Sequence, residues 1–235
     1  MKLRTTLITA VCFLGIYLSH SLPGLNGNES SQNSDHSSID WIVADFLMKQ
    51  PEHVAIKGDP RVVETSYGQS VYFDGVDDAI FSADMPLDSL EAFTIEMIFY
   101  PDTAGSFEQR VVHIGEVFEG RMLMEIRAED DQWYFDGFVS SAGNNKALID
   151  ETLTHPLGQW HHVALVVTPE VLQTYVNGTL ELEEPYTYKG IQTGSSSIGV
   201  RRNEISWFKG MIHRIRISPV PLAPSAFLKL RDSDY

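Results

Sequence analysis

From about residue 54 onward the sequence alternates with a period of two. Phe93, Ile95, Met97 and Phe99 alternate with Thr94, Glu96 and Ile98. Met122, Met124 and Ile126 alternate with Arg121, Leu123, Glu125 and Arg127. Trp160, His162, Ala164 and Val166 alternate with His161, Val163, Leu165 and Val167. Successive side chains of a strand point to opposite faces, so each run predicts a strand with one face inward. Val171 to Val176 and Thr179 to Glu183 are two further runs joined by Asn177-Gly178, a dipeptide that tolerates the positive φ angles of a type I′ hairpin turn. Met211 to Ile217 is a last long strand. Many strands, little helix and frequent Gly, Asn and Asp turns point to an all-β sandwich. Nothing in the pattern marks a second domain or an internal repeat.

One helix is expected ahead of the strands. Ser37 and Asp40 have capping-box spacing, and Ile39, Ile42, Val43, Phe46 and Leu47 fall on one helical face before Pro51 stops it. The helix is expected to lay this stripe on the sandwich, with a partner-binding helix as the alternative. Upstream, Lys2 and Arg4 precede the apolar run Leu7 to Leu18, and Ser19 and Ser21 are small residues before a cut after Ser21. This predicts a secretory signal peptide over residues 1–21. A run of about a dozen apolar residues is too short to span a bilayer. The expected location is therefore secreted or periplasmic, without membrane insertion after cleavage. Residues 22–37 are polar and read as a flexible linker, which leaves 38–235 as a single sandwich domain. The one cysteine, Cys12, lies in the signal, so the domain must rest on its core rather than on disulfides.

Several strand-and-turn segments occur in a recognisable order. They are Phe73-Asp74-Gly75-Val76-Asp77-Asp78-Ala79-Ile80, Phe93-Thr94-Ile95-Glu96, and Gly158-Gln159-Trp160-His161-His162-Val163-Ala164. Tyr175-Val176-Asn177-Gly178, Ser197-Ile198-Gly199 and Phe208-Lys209-Gly210-Met211-Ile212 follow. Over about residues 65–228 the chain thereby resembles laminin-G-like domains of the concanavalin A-like lectin/glucanase superfamily. The resemblance implies a jelly-roll β-sandwich with the short N-terminal helix packed on it. Trp160 is expected to fill the layer between the sheets. Many members bind calcium at one end of the sandwich, and Asp74, Asp77 and Asp78 match that acidic turn, so the resemblance makes them candidate Ca2+ ligands. In the last strand, His213 stands where members often carry an acid. The superfamily includes carbohydrate-binding modules, adhesion domains, glycanases and polysaccharide lyases, so it leaves the activity open.

A formal charge of −15 disfavours nucleic acid and anionic headgroups, and is compatible with divalent cations or neutral glycans. The richest polar stretch is residues 108–136. Arg121, Glu125, Arg127 and Glu129 share one strand face, where arginine offers bidentate donors and carboxylates accept from sugar hydroxyls. Trp133 and Tyr134 offer a stacking surface, and Gln109 and His113 complete the candidate ligand site. The alternative is an exposed strand laced with incidental ion pairs. Glycosidases of this fold place three acids at alternating positions, whereas Arg127 stands in the middle of Glu125-Ile126-Arg127-Ala128-Glu129, and a cation there spoils a neighbouring general acid. A lyase reading uses His113 with Arg110 and Gln109, although regular alternation puts Arg110 on the opposite face from the other two. His161 and His162 point to opposite faces, with His162 expected to pack. The leading expectation is an exported, non-catalytic module that binds a glycan or a cell-surface protein. The alternatives are a polysaccharide-cleaving enzyme and a structural or adhesion domain.

Overall fold

The computed structural model describes residues 37–231. The signal peptide and almost all of the expected linker lie outside the described residues. In chain order the elements begin with β1 (Ile39–Ile42), helix α1 (Val43–Lys49), β2 (Val54–Lys57), β3 (Arg61–Thr65), β4 (Gly68–Asp74) and β5 (Ala79–Ser82). Next come β6 (Phe93–Pro101), β7 (Glu108–Gly115), β8 (Arg121–Glu129), β9 (Gln132–Ser141), β10 (Asn144–Ile149) and β11 (His155–Pro156). The series closes with β12 (His161–Val167), β13 (Val171–Val176), β14 (Thr179–Pro185), β15 (Ser195–Ile198) and β16 (Lys209–Ser218).

Two antiparallel sheets result. The first runs β14-β13-β12-β6-β16-β4-β3, and β1 pairs with β16 beside the end of β4. The second runs β10-β9-β8-β7-β15-β5-β2, with β11 on β9. Consecutive strands of the chain often lie in different sheets, as expected of a jelly roll.

The alternating residues meet between the sheets. Phe93, Ile95, Met97 and Phe99 of β6 and Val163, Leu165 and Val167 of β12 face Met122, Met124 and Ile126 of β8 and Trp133 and Phe135 of β9 in one buried cluster. Phe99 and Trp133 make an edge-on ring contact across the layer at 5.2 Å between centroids, the geometry that ring quadrupoles favour. At Gly137 the two sheets approach each other closely. A Cβ there would lie 2.7 Å from Thr174 Cγ2 and 2.8 Å from Leu165 Cδ1, so the absence of a side chain permits the approach.

The helix is shorter than its apolar spacing predicts. Residues Ile39–Ile42 are a strand paired with β16, and only Val43–Lys49 are helical, with no side-chain cap. Trp41 and Val43 are buried while Asp40 reaches out to an ion pair with Arg214, a period-two pattern that fits the free edge of β16. Val43, Ala44 and Phe46 then bury the helix's inner face against the core.

Residues after β16 cross the outer face of the first sheet. Leu222 N donates to Thr94 Oγ1 at 2.8 Å, Leu228 N to Glu96 Oε1 at 2.7 Å and Arg231 N to Tyr67 Oη at 2.8 Å. This strap explains why Thr94 and Glu96, on the side of β6 away from the core, are fully buried. Glu96 also binds His162 and Arg216. Burial raises the Glu96 pKa, but the donors from His162, Leu228 and Arg216 outweigh it and hold the group below its ordinary value. Trp160 belongs to this side too. It packs with Tyr67, Ile98 and Leu230 under the strap rather than between the sheets as expected.

Candidate functional site

With the first sheet covered, the outer face of the second sheet is the open one. Its residues follow from register. Arg121, Ser140 and Asn145 form one cross-strand row, Leu123, Phe138 and Ala147 the next, and Glu125, Asp136 and Ile149 a third. Arg127 lies across from Tyr134, and Glu129 from Gln132. On the β7 side, Arg110 faces Glu125 and His113 faces Leu123. Residues 199–207, between β15 and β16, lie over this side: Arg110 N donates to Ser206 O at 2.8 Å, and Arg202 N donates to His113 Nδ1.

The centre of the face is a ladder of alternating charge. Arg110 donates from Nη1 to Glu108 Oε2 at 2.6 Å and to Ser206 Oγ at 2.8 Å, and from Nε to Glu125 Oε1 at 2.9 Å. Arg127 donates to Glu125 Oε2 at 3.3 Å and to Asp136 Oδ2 at 2.6 Å. The Glu125 and Asp136 side chains are only 4% and 6% exposed, so these ion pairs are not the loose surface contacts that the incidental alternative requires. Burial, followed by the neighbouring Glu125 carboxylate, pushes the pKa of Asp136 up to about 7. Asp136 Oδ1 has no hydrogen-bond donor among the described residues. Two carboxyl groups in mutual contact, both clamped by Arg127, do not flank a sugar-sized gap. A retaining pair stands about 5–5.5 Å apart.

The face gathers Arg121, Glu125, Arg127, Tyr134 and, at its rim, Glu129, as expected. Tyr134 and Glu129 line a depression of about 390 Å³ together with Glu151 and Thr154. Three expectations are corrected. Trp133 offers no stacking surface, because it is fully buried between the sheets, on the opposite face of β9 from Tyr134. Gln109 faces the core side across from Ile126, where it donates to Ser106 O and accepts from Lys209 N, a structural role. His113 does reach the outer face, because a bulge between Arg110 and Val112 shifts the alternation and places it on the same side as Arg110. It is completely buried, with Nε2 donating to Glu116 O at 2.9 Å and Nδ1 accepting from Arg202 N at 3.3 Å. Burial first, then the charges of Arg201, Arg202 and Arg121, push its pKa down to about 4. Both nitrogens are engaged, so His113 pins the covering loop and leaves no lone pair for a proton-abstracting role.

Asp136 and Ser206 join the face without having been expected there. Asp136 has the parity of Tyr134, opposite to Trp133 and Phe135, which was readable in the sequence. Ser206 arrives from a distant loop, for which local spacing carries no signal.

Asp74, Asp77 and Asp78 do come together, with one carboxylate oxygen of each within 4.8 Å of the others. Asp78 accepts from Asp59 N at 2.6 Å and from Asp74 N at 2.9 Å, and Asp74 Oδ1 accepts from Val76 N at 2.8 Å. These oxygens already organise the turn. The remaining lone pairs and the unengaged Asp77 carboxylate are hard donors of the kind calcium takes.

Residues 64–226 match a family model described as the concanavalin A-like lectin/glucanases superfamily. No curated protein matches. Domain 4 of an extracellular arabinanase from Geobacillus stearothermophilus, solved with arabinotriose, superposes with a TM-score of 0.55 at 21% identity, over 72% of this chain and 79% of that one. The binding domain of botulinum neurotoxin serotype D gives 0.54 at 16% identity, over 73% of this chain and 44% of that one. The binding domain of botulinum neurotoxin DC, in complex with SialylT, gives 0.54 at 9% identity, again covering 44% of that chain. Likenesses at these identities establish the shared fold. Among the described residues, no helix is long and apolar enough to cross a membrane.

Proposed function

Because the chain belongs to the Laminin_G_3 family of the concanavalin A-like lectin/glucanases superfamily, we propose that it is a carbohydrate-binding module whose ligand lies along the open face of the second sheet. The observation that carries this reading is the buried ladder Glu108–Arg110–Glu125–Arg127–Asp136. Its groups are held in place before any ligand arrives, which lowers the ordering cost of binding. Asp136, itself buried, holds the Arg127 guanidinium in place, and Tyr134 across from Arg127 offers an aromatic face. The arabinanase domain solved with arabinotriose and the toxin domain solved with SialylT support a glycan as the class of ligand.

The same proposal has the module exported by residues 1–21. It also has calcium at the Asp74–Asp77–Asp78 turn, where the ion would supply positive charge and rigidity through this chain's own carboxylates. Glycan-array binding of the domain, with calcium and with chelator, is the test. Binding lost on Tyr134→Ala and on Asp136→Ala, with the fold intact, upholds the proposal. New reducing ends or unsaturated products from a bound polysaccharide replace it with an enzyme, and failure to bind any glycan replaces it with a protein partner.

A further inference from the structure

The chain carries 17 Lys and Arg against 32 Asp and Glu, yet one end of the proposed binding face is locally cationic. Arg121 opens β8 on that face across from Ser140, and its guanidinium lies 4.7 Å from the centroid of the Phe138 ring. Arg201 comes from the covering loop and is set over Phe118, at 5.8 Å. Arg202 follows it and holds His113 through its backbone. Arg121, Arg201 and His113 all bond carbonyls of one short turn, those of Glu119, Val117 and Glu116, which brings the charges together. After burial itself, the two arginines between them lower the pKa of His113.

Like charges gathered in this way repel, and a folded protein ordinarily places a carboxylate among them. None of the three arginines makes an ion pair among the described residues. Arg121 and Arg201 each spend one Nη on a backbone carbonyl, of Glu119 and Val117 respectively, while both Nε atoms are buried without a hydrogen-bond partner. The acids nearest Arg121 are Glu125, already held by Arg110 and Arg127, and Glu119, which is exposed. Arg121 Nη2 and Arg201 Nη1 carry no hydrogen bond among the described residues, so the two guanidinium groups, each backed by an aromatic ring, can share one oxyanion between them.

We propose that Arg121 and Arg201 form a subsite for the anionic group, carboxylate or sulfate, of an acidic carbohydrate. This deepens the carbohydrate reading of the face and rests on it. Arg121 and Arg127 are six residues apart on one strand, about 20 Å at the rise of an extended chain. A single oligosaccharide therefore reaches from the anionic subsite, past Phe138, to Arg127 and Tyr134. The subsite selects for acidic glycans despite the negative charge of the whole chain, and its contribution weakens with salt.

The test is an array holding uronate-, sialate- and sulfate-bearing glycans beside their neutral counterparts, probed with the wild type, Arg121→Gln and Arg201→Gln. A titration of the strongest acidic glycan from 50 to 500 mM NaCl follows, with thermal melts confirming that each variant folds. The expected result is preference for acidic glycans, at least tenfold weaker binding in either variant, and affinity that falls with salt. The salt titration of the wild type decides the matter should a variant fail to fold. Binding confined to neutral glycans, or insensitive to both substitutions and salt, overturns the subsite and leaves the carbohydrate reading standing. Absence of any glycan binding overturns both. Whether the uronates and sialates or the sulfates bind identifies the anion.

Discussion

Asp136 and Glu125 sit directly across from each other on neighbouring strands, with Arg127 donating to both. Two buried carboxyl groups in contact are not comfortably ionised together, and the pair is best described as retaining one proton near neutrality. Asp136 is raised from 3.8 to about 7, so its contribution to stability is complete below pH 4 and lost as the pH rises through 7. In Asp136→Asn an amide replaces that proton and donates to Glu125 at every pH. The variant is expected to melt several degrees higher than the wild type at pH 8 and at the same temperature at pH 4. Equal melting temperatures at pH 8 would sink this account of the pair.

His113 and His161 behave in the opposite sense. Burial lowers each to about 4. A histidine depressed in the folded state contributes its stability fully above the unfolded value near 6.5 and loses it as the pH falls toward 4. Each contributes up to about 3 kcal/mol over that window. Urea denaturation across pH 4–7 is expected to show stability falling on acidification, against the opposing gain from Asp136. His113→Gln keeps a donor and an acceptor and should flatten part of that slope. An unchanged slope in the variant contradicts the assignment.

Gly137 is a steric requirement rather than a flexible point. Alanine there would put its Cβ 2.7 Å from Thr174 Cγ2 and 2.8 Å from Leu165 Cδ1. Overpacking of this kind costs about 1–3 kcal/mol. Scanning calorimetry is expected to show Gly137→Ala melting lower by roughly 2–4 °C for each kcal/mol. A wild-type melting temperature would mean that the sheets separate without cost.

Glu96 ties three elements to one side chain: β12 through His162, β16 through Arg216, and the strap through Leu228 N. Glu96→Ala leaves buried His162 without its acceptor and Arg216 with only the Ala226 carbonyl, a loss of roughly 3–5 kcal/mol. Proteolysis should then cut first within residues 219–231, while the wild type resists under the same conditions. Equal resistance would show that the strap is held without Glu96, by its bonds to Thr94 and Tyr67 and by the packing of Phe227.

The acidic turn separates into two roles. Asp78→Ala is expected to destabilise the domain even in chelator, because both of its oxygens hold backbone amides. Asp77→Asn is expected to be neutral in chelator and to reduce the rise in melting temperature that millimolar calcium gives the wild type. No calcium-dependent shift in the wild type would dismiss the metal and leave Asp78 as a turn residue.

The architecture was legible because alternation is a local property. Met122, Met124 and Ile126 face inward for the same reason that Arg121, Glu125 and Arg127 face outward, and that parity alone assembled half of the binding face. The misreadings share one cause, which is that parity says two faces differ without saying which is covered. Trp133 and Trp160 both left their expected places: the first lies between the sheets rather than on the ligand face, and the second beneath a strap formed by residues far along the chain rather than between the sheets. The bulge beside Val111 reversed the side on which His113 stands, and a one-residue insertion leaves no compositional trace. At Ile39–Ile42 the apolar spacing suits a helix and a strand equally, and the vacant edge of β16 decides between them. Arg201 and Ser206 reach the face from a loop, where no periodicity exists to read.

Strand β16 is central to the first sheet, with β6 along one side and both β4 and β1 along the other, yet it occupies residues 209–218. During synthesis, β1, β4 and β6 emerge long before the strand that joins them. The first sheet therefore cannot close as the chain lengthens, and it closes in a late step dominated by contacts between distant residues, a topology that folds slowly. A polypeptide with this strand order keeps its first sheet open until β16 has been made.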